Sequence, residues 1–268
     1  MPHRKKRTGG QDRKRKHDDP AAHSTAYRAR FQRLVSNISA SLISLAPHEI
    51  EGWMNSVLEL IGAFEGVDRS YVFLFNGSGD TMDNTHEWCA DGVEPQIGSL
   101  KNIPLSTFPW WMMKLKSNEE VNIPLVAKLP PEAAEERKIL EAQRIKSLLA
   151  VPINVEGRVC GFLGFDSVKL PRRWTKGSVV LIRTIASTLG NALARKRAEE
   201  ARQKAVDMLR ESESRWQFAL EGAGDGVWDW NVESGKVFFS RRWKEMLGYA
   251  EEEVGDGLEE WSSRVHPE

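Results

Sequence analysis

Between residues 27 and 45 the apolar side chains fall at Phe31, Leu34, Val35, Ile38, Leu42 and Leu45, the three-and-four spacing of one helix face. Pro47 suits a first helical position. Behind it Ile50, Trp53, Met54, Val57, Leu58, Ile61 and Phe64 make a second stripe. The period then shortens. Residues 70–75 are β-branched and aromatic, and 81–89 read as a returning strand. Asn76-Gly77-Ser78-Gly79-Asp80 lies between them as a turn, because Asn and Gly tolerate positive φ. Residues 120–123 predict a short strand and 131–143 a charged helix. Residues 145–153 and 158–168 predict a second hairpin around Glu156-Gly157. A long helix opens near Trp174. Antiparallel hairpins with helices gathered at the ends predict an α+β fold, an antiparallel sheet with helices on one face.

The closing helix carries a strong apolar side at Val179, Ile182, Ile185 and Leu189. Beyond Ala192 the chain turns to Arg, Lys, Glu, Gln and Ala, with Ala194, Ala198, Ala201, Ala205 and Met208 spaced four, three, four and three apart. That is a weak coiled-coil seam. A solvated single helix fits the same residues, since alanine buries little. After residue 212, Trp216, Ala219 and Leu220 continue a short helix that Gly222, Gly224 and Gly226 break. Trp228, Trp230 and Val232 then alternate with Asp229 and Asn231, a strand pattern. Residues 233–236 form a turn and 237–239 a second strand. Ser240 is placed to cap a helix that ends at Gly248.

Composition changes this picture little. The chain has 268 residues, 38 Lys plus Arg and 38 Asp plus Glu. The balance hides a basic run: eight Lys or Arg and one acid lie between Arg4 and Lys16. Residues 1–23 lack an apolar pattern and are expected to be a disordered, solvated tail rather than a nucleic-acid contact. Ten Trp are many for this length, so several belong in cores or a pocket. Cys89 and Cys160 are too few for a disulfide scaffold and read as free thiols. No apolar run follows the basic start, as a signal peptide would require. The longest apolar stretch, 179–194, is interrupted by Arg183 and Asn191 and is too short and polar to span a bilayer. A cytoplasmic location without a membrane partner is expected.

Two stretches resemble known families. Residues 45–195 resemble a GAF domain of bacterial sensor proteins. The resemblance rests on Thr85-His86-Glu87-Trp88-Cys89-Ala90, Phe108-Pro109-Trp110-Trp111-Met112, Lys146-Ser147-Leu148-Leu149-Ala150-Val151-Pro152 and Gly161-Phe162-Leu163-Gly164-Phe165-Asp166. From residue 211 onward the chain resembles the first half of a PAS domain. The carriers there are 216–220, Gly226-Val227-Trp228-Asp229-Trp230-Asn231, 240–249 and Val265-His266-Pro267-Glu268. The implied organisation is a basic tail over 1–23, a GAF-like sensory domain over 24–195, a helical linker over 196–212 and an incomplete PAS-like domain over 213–268. The resemblance implies a longer parent protein with a diguanylate cyclase or histidine kinase output.

No catalytic set can be assembled from spacing. His86-Glu87 opens a zincin-like pattern, but Ala90 stands where the second His is needed. His86 and Cys89 have a metal-like spacing with too few further ligands. No P-loop is present, and the glycines at 222, 224 and 226 precede a strand rather than a helix. Neither Cys89-Ala90 nor Cys160-Gly161 matches the Cys-His pair of bilin-attaching GAF domains, and the Asn-Lys-Phe-Asp-Glu signature of cyclic-nucleotide GAF domains is absent. No metal and no enzymatic activity are therefore expected, and the identity of any cofactor or ligand is left unknown.

By resemblance, His86, Trp88, Phe108, Trp110 and Trp111 lie where GAF domains build their pocket. The segment from Phe108 is expected to act as its lid. Asp166 ends an apolar strand and, if buried, needs a partner: the ligand, Arg158 or Lys169. The readings left open are a small-molecule sensor, a constitutive homodimer or scaffold whose pocket its own side chains fill, and a nucleic-acid-associated protein using the tail.

Overall fold

The computed structural model describes residues 20–264, except the side chains of 20–25, 217 and 220–223. The basic run and Val265-His266-Pro267-Glu268 lie outside the described residues. The chain divides into two compact units, 1–197 and 198–268.

The first unit opens with helix α1 (Pro20–Ser44) and helix α2 (Ile50–Glu65). Helix α1 takes in residues 20–23, which the sequence places in the tail. Helix α2 stops at Gly66, whose φ of 63° is the left-handed geometry glycine adopts freely. Strands β1 (Arg69–Phe75) and β2 (Thr81–Cys89) form the first hairpin, as their period predicts. A short β3 (Ile103–Pro104) follows, then helix α3 (Pro109–Lys116), β4 (Val121–Ile123) and helix α4 (Ala134–Ala142). The second hairpin is β5 (Ser147–Val155) and β6 (Arg158–Ser167). The six strands form one antiparallel sheet in the order β3-β2-β1-β6-β5-β4.

Both faces of this sheet are buried, which is why its central strands read as continuous apolar runs. One face carries Val72, Leu149, Val151, Leu163 and Phe165 against α1, α2 and the start of the closing helix α5 (Lys176–Ala223). The other carries Tyr71, Phe73, Leu148, Ala150 and Phe162 against α3 and α4. The long helices thus gather on one face, as the hairpin order implies, while two short helices cover the second. Helix α5 contains a window long and apolar enough to cross a membrane by composition, but half of that window is buried within the protein. Leu181, Ile182, Ile185 and Leu189 serve the core of the first unit.

Strand β2 carries one irregularity that decides what the sheet presents. Val72 pairs with His86 and Phe73 with Asn84, so Thr85 is an extra residue, a β-bulge. Before the bulge, Met82 and Asn84 share the face of Phe73. After it, Glu87 takes that face, opposite Tyr71, while His86 and Trp88 turn to the other.

The second unit contains the rest of α5, β7 (Trp228–Trp230), β8 (Val237–Phe239), α6 (Arg241–Met246) and α7 (Leu258–Ser262). Helix α5 runs on to Ala223 and ends among the glycines at 222, 224 and 226, where the sequence places the break. Ala198, Ala201, Ala205 and Met208 lie along it, and Met208 is 62% exposed. Strands β7 and β8 pair antiparallel, with Trp228 opposite Phe239. The Ser240 hydroxyl accepts from the Trp243 amide, capping α6 as predicted. The core of this unit is small: Val237, Phe239 and Val254, with Trp243, Tyr249 and Leu258 packed against them. Trp228, Trp230 and Phe238 remain 48%, 41% and 60% exposed.

Candidate functional site

The face of the sheet under α3 and α4 holds a cavity. It is narrow, for only about 40 Å³ of it admits the centre of a water molecule. Aromatic rings form its apolar end. Phe73 and Phe162 are cross-strand partners whose rings stack 4.8 Å apart at 7°. Phe108 and Trp111 meet edge to face at 5.9 Å. Leu148, Ile103 and Met82 complete the apolar wall.

The polar end is built by register. Arg69 begins β1 and Asp166 nearly ends β6, and the antiparallel pairing sets them opposite each other. Their side chains are almost fully buried, with Arg69 Nη2 3.5 Å from an Asp166 oxygen. The Tyr71 hydroxyl donates to Asp166 Oδ1 at 2.9 Å. Its ring reaches there by lying over Gly164, where a Cβ would come within 2.3 Å of it. Burial raises the Asp166 carboxyl to about 7, and Arg69 and the Tyr71 hydroxyl only partly oppose this. Burial also pushes the Tyr71 hydroxyl well above its ordinary range.

Glu87 faces this end from β2. Its Oε2 accepts from the amides of Gln96 and Ile97 at 2.7 and 3.0 Å, and its Oε1 accepts from Asn84 at 3.3 Å. Glu87 thereby ties down the segment after β2. Three buried polar atoms on the cavity residues lack a hydrogen-bond partner among the described residues: Arg69 Nε, Trp111 Nε1 and Asn84 Oδ1. Buried polar atoms are nearly always paired, so three exceptions around one cavity mark it out.

Of the side chains singled out by sequence, Phe108, Trp111 and Asp166 line this cavity. His86, Trp88 and Trp110 do not line it. The Thr85 bulge sets His86 and Trp88 on the opposite face. Trp88 packs beside Gly62 of α2, where a Cβ would come within 2.5 Å of its ring. His86 is buried there too, with Nε2 2.7 Å from Glu51 Oε2 and Nδ1 2.9 Å from the Thr85 hydroxyl. Burial lowers the His86 pKa, against the pull of Glu51. Burial opposes the Glu51 charge, but Lys196 of α5 and His86 together hold Glu51 below its usual range.

Phe108-Pro109-Trp110-Trp111 covers the cavity not as a loop but as the start of α3, with Pro109 in the first turn. Glu136 of α4 secures that start by accepting from the Trp110 and Trp111 amides at 2.8 and 3.4 Å. The Trp110 ring is half-buried beneath the Lys114 ammonium, 5.2 Å from its centroid. The partners expected for Asp166 also change. Arg158 sits at the far end of β6, and Lys169 reaches Asp68 and the Asp91 carbonyl instead.

The cysteines fall apart. Cys160 packs in the helix-side core. Cys89 shares the pocket-side parity of Glu87, and burial raises its thiol to about 11, which keeps it protonated and weakly nucleophilic. His86 and Cys89 therefore point to opposite faces. Sequence reasoning missed Arg69, Tyr71, Asn84 and Glu87. The available signal was a pair of opposite charges mirrored at the ends of two apolar strands.

Comparison with known proteins agrees with this architecture. Over 187 residues the chain is 32% identical to the methanogenesis regulatory histidine kinase FilI of Methanothrix harundinacea. That match covers 68% of this chain and 21% of the kinase, so the chain spans about a fifth of its relative's length. The phycocyanobilin-bound GAF domain of a cyanobacterial phytochrome superposes with a TM-score of 0.55 at 18% identity, covering 63% of this chain and 96% of that one. The GAF domain of an Acinetobacter phosphoenolpyruvate-protein phosphotransferase gives 0.51 at 14%, covering 64% and 98%. At such identities these two matches speak for the fold alone. The family model of the GAF domain matches residues 50–193, more than half of the sequence and nearly all of the six-stranded unit, and the chain belongs to the GAF domain family.

Proposed function

We propose that this chain is the sensory input part of a cytoplasmic signal-transduction protein, and that its GAF domain binds a small organic ligand in the cavity beneath α3. One observation carries the reading: three buried polar atoms without partners among the described residues, all on side chains around one aromatic-lined cavity. Apolar pockets with a few convergent polar groups are the usual form of a ligand site. The relation to a histidine kinase supports a signalling role. The candidate ligand contacts are Phe108, Trp111 and Asp166, joined by Arg69 and Tyr71. The ligand acts on output through α5, which both packs on the sheet and carries Lys196 to Glu51. The chain itself performs no catalysis in this reading. The second unit is PAS-like, and the parent protein's output is a histidine kinase or a diguanylate cyclase. The α5 stripe from Ala198 to Met208 pairs two copies into a homodimer.

The narrowness of the cavity favours a second reading, a scaffold whose own side chains keep the pocket closed. Thermal melting against a library of small aromatic molecules separates the two. The sensor reading expects hits that raise the melting temperature and vanish in Ile103→Trp, which fills the cavity from its half-buried edge. The scaffold reading expects no hits, and an Ile103→Trp protein that behaves like the parent.

A further inference from the structure

We propose that the cavity selects a small aromatic carboxylate, with the ring against the aromatic wall and the carboxylate on Arg69. This rests on the ligand-sensor reading and names its ligand class. Arg69 is 2% exposed, and its side chain has an unpartnered Nε and only a 3.5 Å approach to Asp166. A buried guanidinium with an unused Nε–H calls for a planar acceptor, and carboxylate matches its fork with two parallel bonds. Glu87 is engaged elsewhere, its oxygens accepting from two amides and Asn84. The unpartnered Trp111 Nε1 adds a second donor on the cavity wall. The aromatic walls and small room suit one ring, not an extended chromophore.

Asp166 makes the site selective. The charged and titratable groups around it are Arg69 and Tyr71 on β1, Glu87 and Cys89 on β2 and Asp68 before β1. An arriving carboxylate adds a negative charge beside a buried carboxyl that already titrates near 7. Asp166 therefore takes one proton from solvent as the ligand binds. Its new O–H becomes a donor, and Arg69 passes from Asp166 to the ligand. The net change is one ligand anion and one proton bound, so the charge of the buried site is unchanged.

Calorimetry on the whole chain with benzoate and its neutral counterpart benzamide tests this. Repeating each titration in two buffers of different ionisation enthalpy counts the protons. Benzoate is expected to bind about tenfold or more tightly than benzamide, the worth of a charge-assisted contact. Its proton uptake should grow, and its affinity fall, between about pH 6 and about pH 8. Asp166→Asn should abolish both the proton uptake and the pH dependence of benzoate affinity. Arg69→Gln should remove the preference for benzoate. If benzamide binds as well as benzoate, or benzoate binds without proton uptake, the carboxylate assignment is wrong while the sensor reading survives. If neither probe binds and a wider aromatic library gives no hits, both fail. The benzoate and benzamide arms use the unmodified protein, so they decide even if Arg69→Gln does not fold.

Discussion

Tyr71 reaches Asp166 only because Gly164 has no side chain. The two strands pair Tyr71 with Gly164, and the ring lies across that gap to place its hydroxyl 2.9 Å from Asp166 Oδ1. A methyl group at 164 would sit within 2.3 Å of the ring. Gly164→Ala is expected to cost about 2 kcal/mol by overpacking. It should also release Asp166 from its hydroxyl donor. Urea unfolding measures the first effect. A stability equal to the parent's would mean that the ring can move aside freely.

The Asp166 carboxyl gives a pH signature. Its folded value is raised to about 7 from an ordinary 3.8, so the folded state holds the proton more tightly than the unfolded chain. Its contribution to stability is complete below about pH 4 and is lost as pH rises through about 7. His86 works in the opposite sense, since its lowered pKa favours the neutral ring and costs stability on acidification. Asp166→Asn isolates the first effect. The difference in unfolding free energy between parent and variant should change by about 2 kcal/mol or more between pH 4 and pH 8, with the variant gaining relative to the parent as pH rises. A difference independent of pH would show an Asp166 with an ordinary pKa.

The adjacent tryptophans Trp110 and Trp111 should separate cleanly. Trp111 is 4% exposed and touches Phe108 and Phe162, so Trp111→Ala is expected to cost about 3–5 kcal/mol. Trp110 is half-buried under Lys114, so Trp110→Ala should cost about 1 kcal/mol. Equal losses in urea unfolding would contradict the orientation of α3.

These positions show what is legible in the sequence. The hairpins, the long helices and the α+β class follow from apolar period alone, because period reports which residues share a face. Phe108, Trp111 and Asp166 are legible as cavity residues too. His86 and Trp88 are drawn to the pocket by alternation, which groups residues without saying which face holds a cavity. The Thr85 bulge then inverts the parity between Asn84 and Glu87, and no residue type announces a bulge formed by Thr. Helix α3 is hidden, since eight residues offer too few turns for a clear period. Arg69 looks like an ordinary strand-end charge until strand pairing sets it opposite Asp166.

In the second unit, a two-stranded sheet over three buried apolar side chains among the described residues covers little apolar surface. Amides of β7 and β8 are expected to exchange with solvent far faster than those of β1 and β6. Hydrogen exchange read by mass spectrometry compares them in one sample. Protection of β7 and β8 equal to that of the central strands would mean that this unit gains stability from contacts beyond its own core.

The central claim is that ligand recognition belongs to the Arg69–Trp111 face and not to the His86–Trp88 face. The indole N–H resonances of the ten tryptophans test it directly once assigned. Trp111 Nε1 lacks a partner among the described residues, whereas Trp88 packs on α2 on the other side of the sheet. The measurement is a proton–nitrogen correlation spectrum during titration with small aromatic carboxylates. The account predicts that the Trp111 indole signal moves as its N–H gains an acceptor, while the Trp88 signal stays in place. Movement of Trp88 with Trp111 fixed would put the site on the helix face and contradict it.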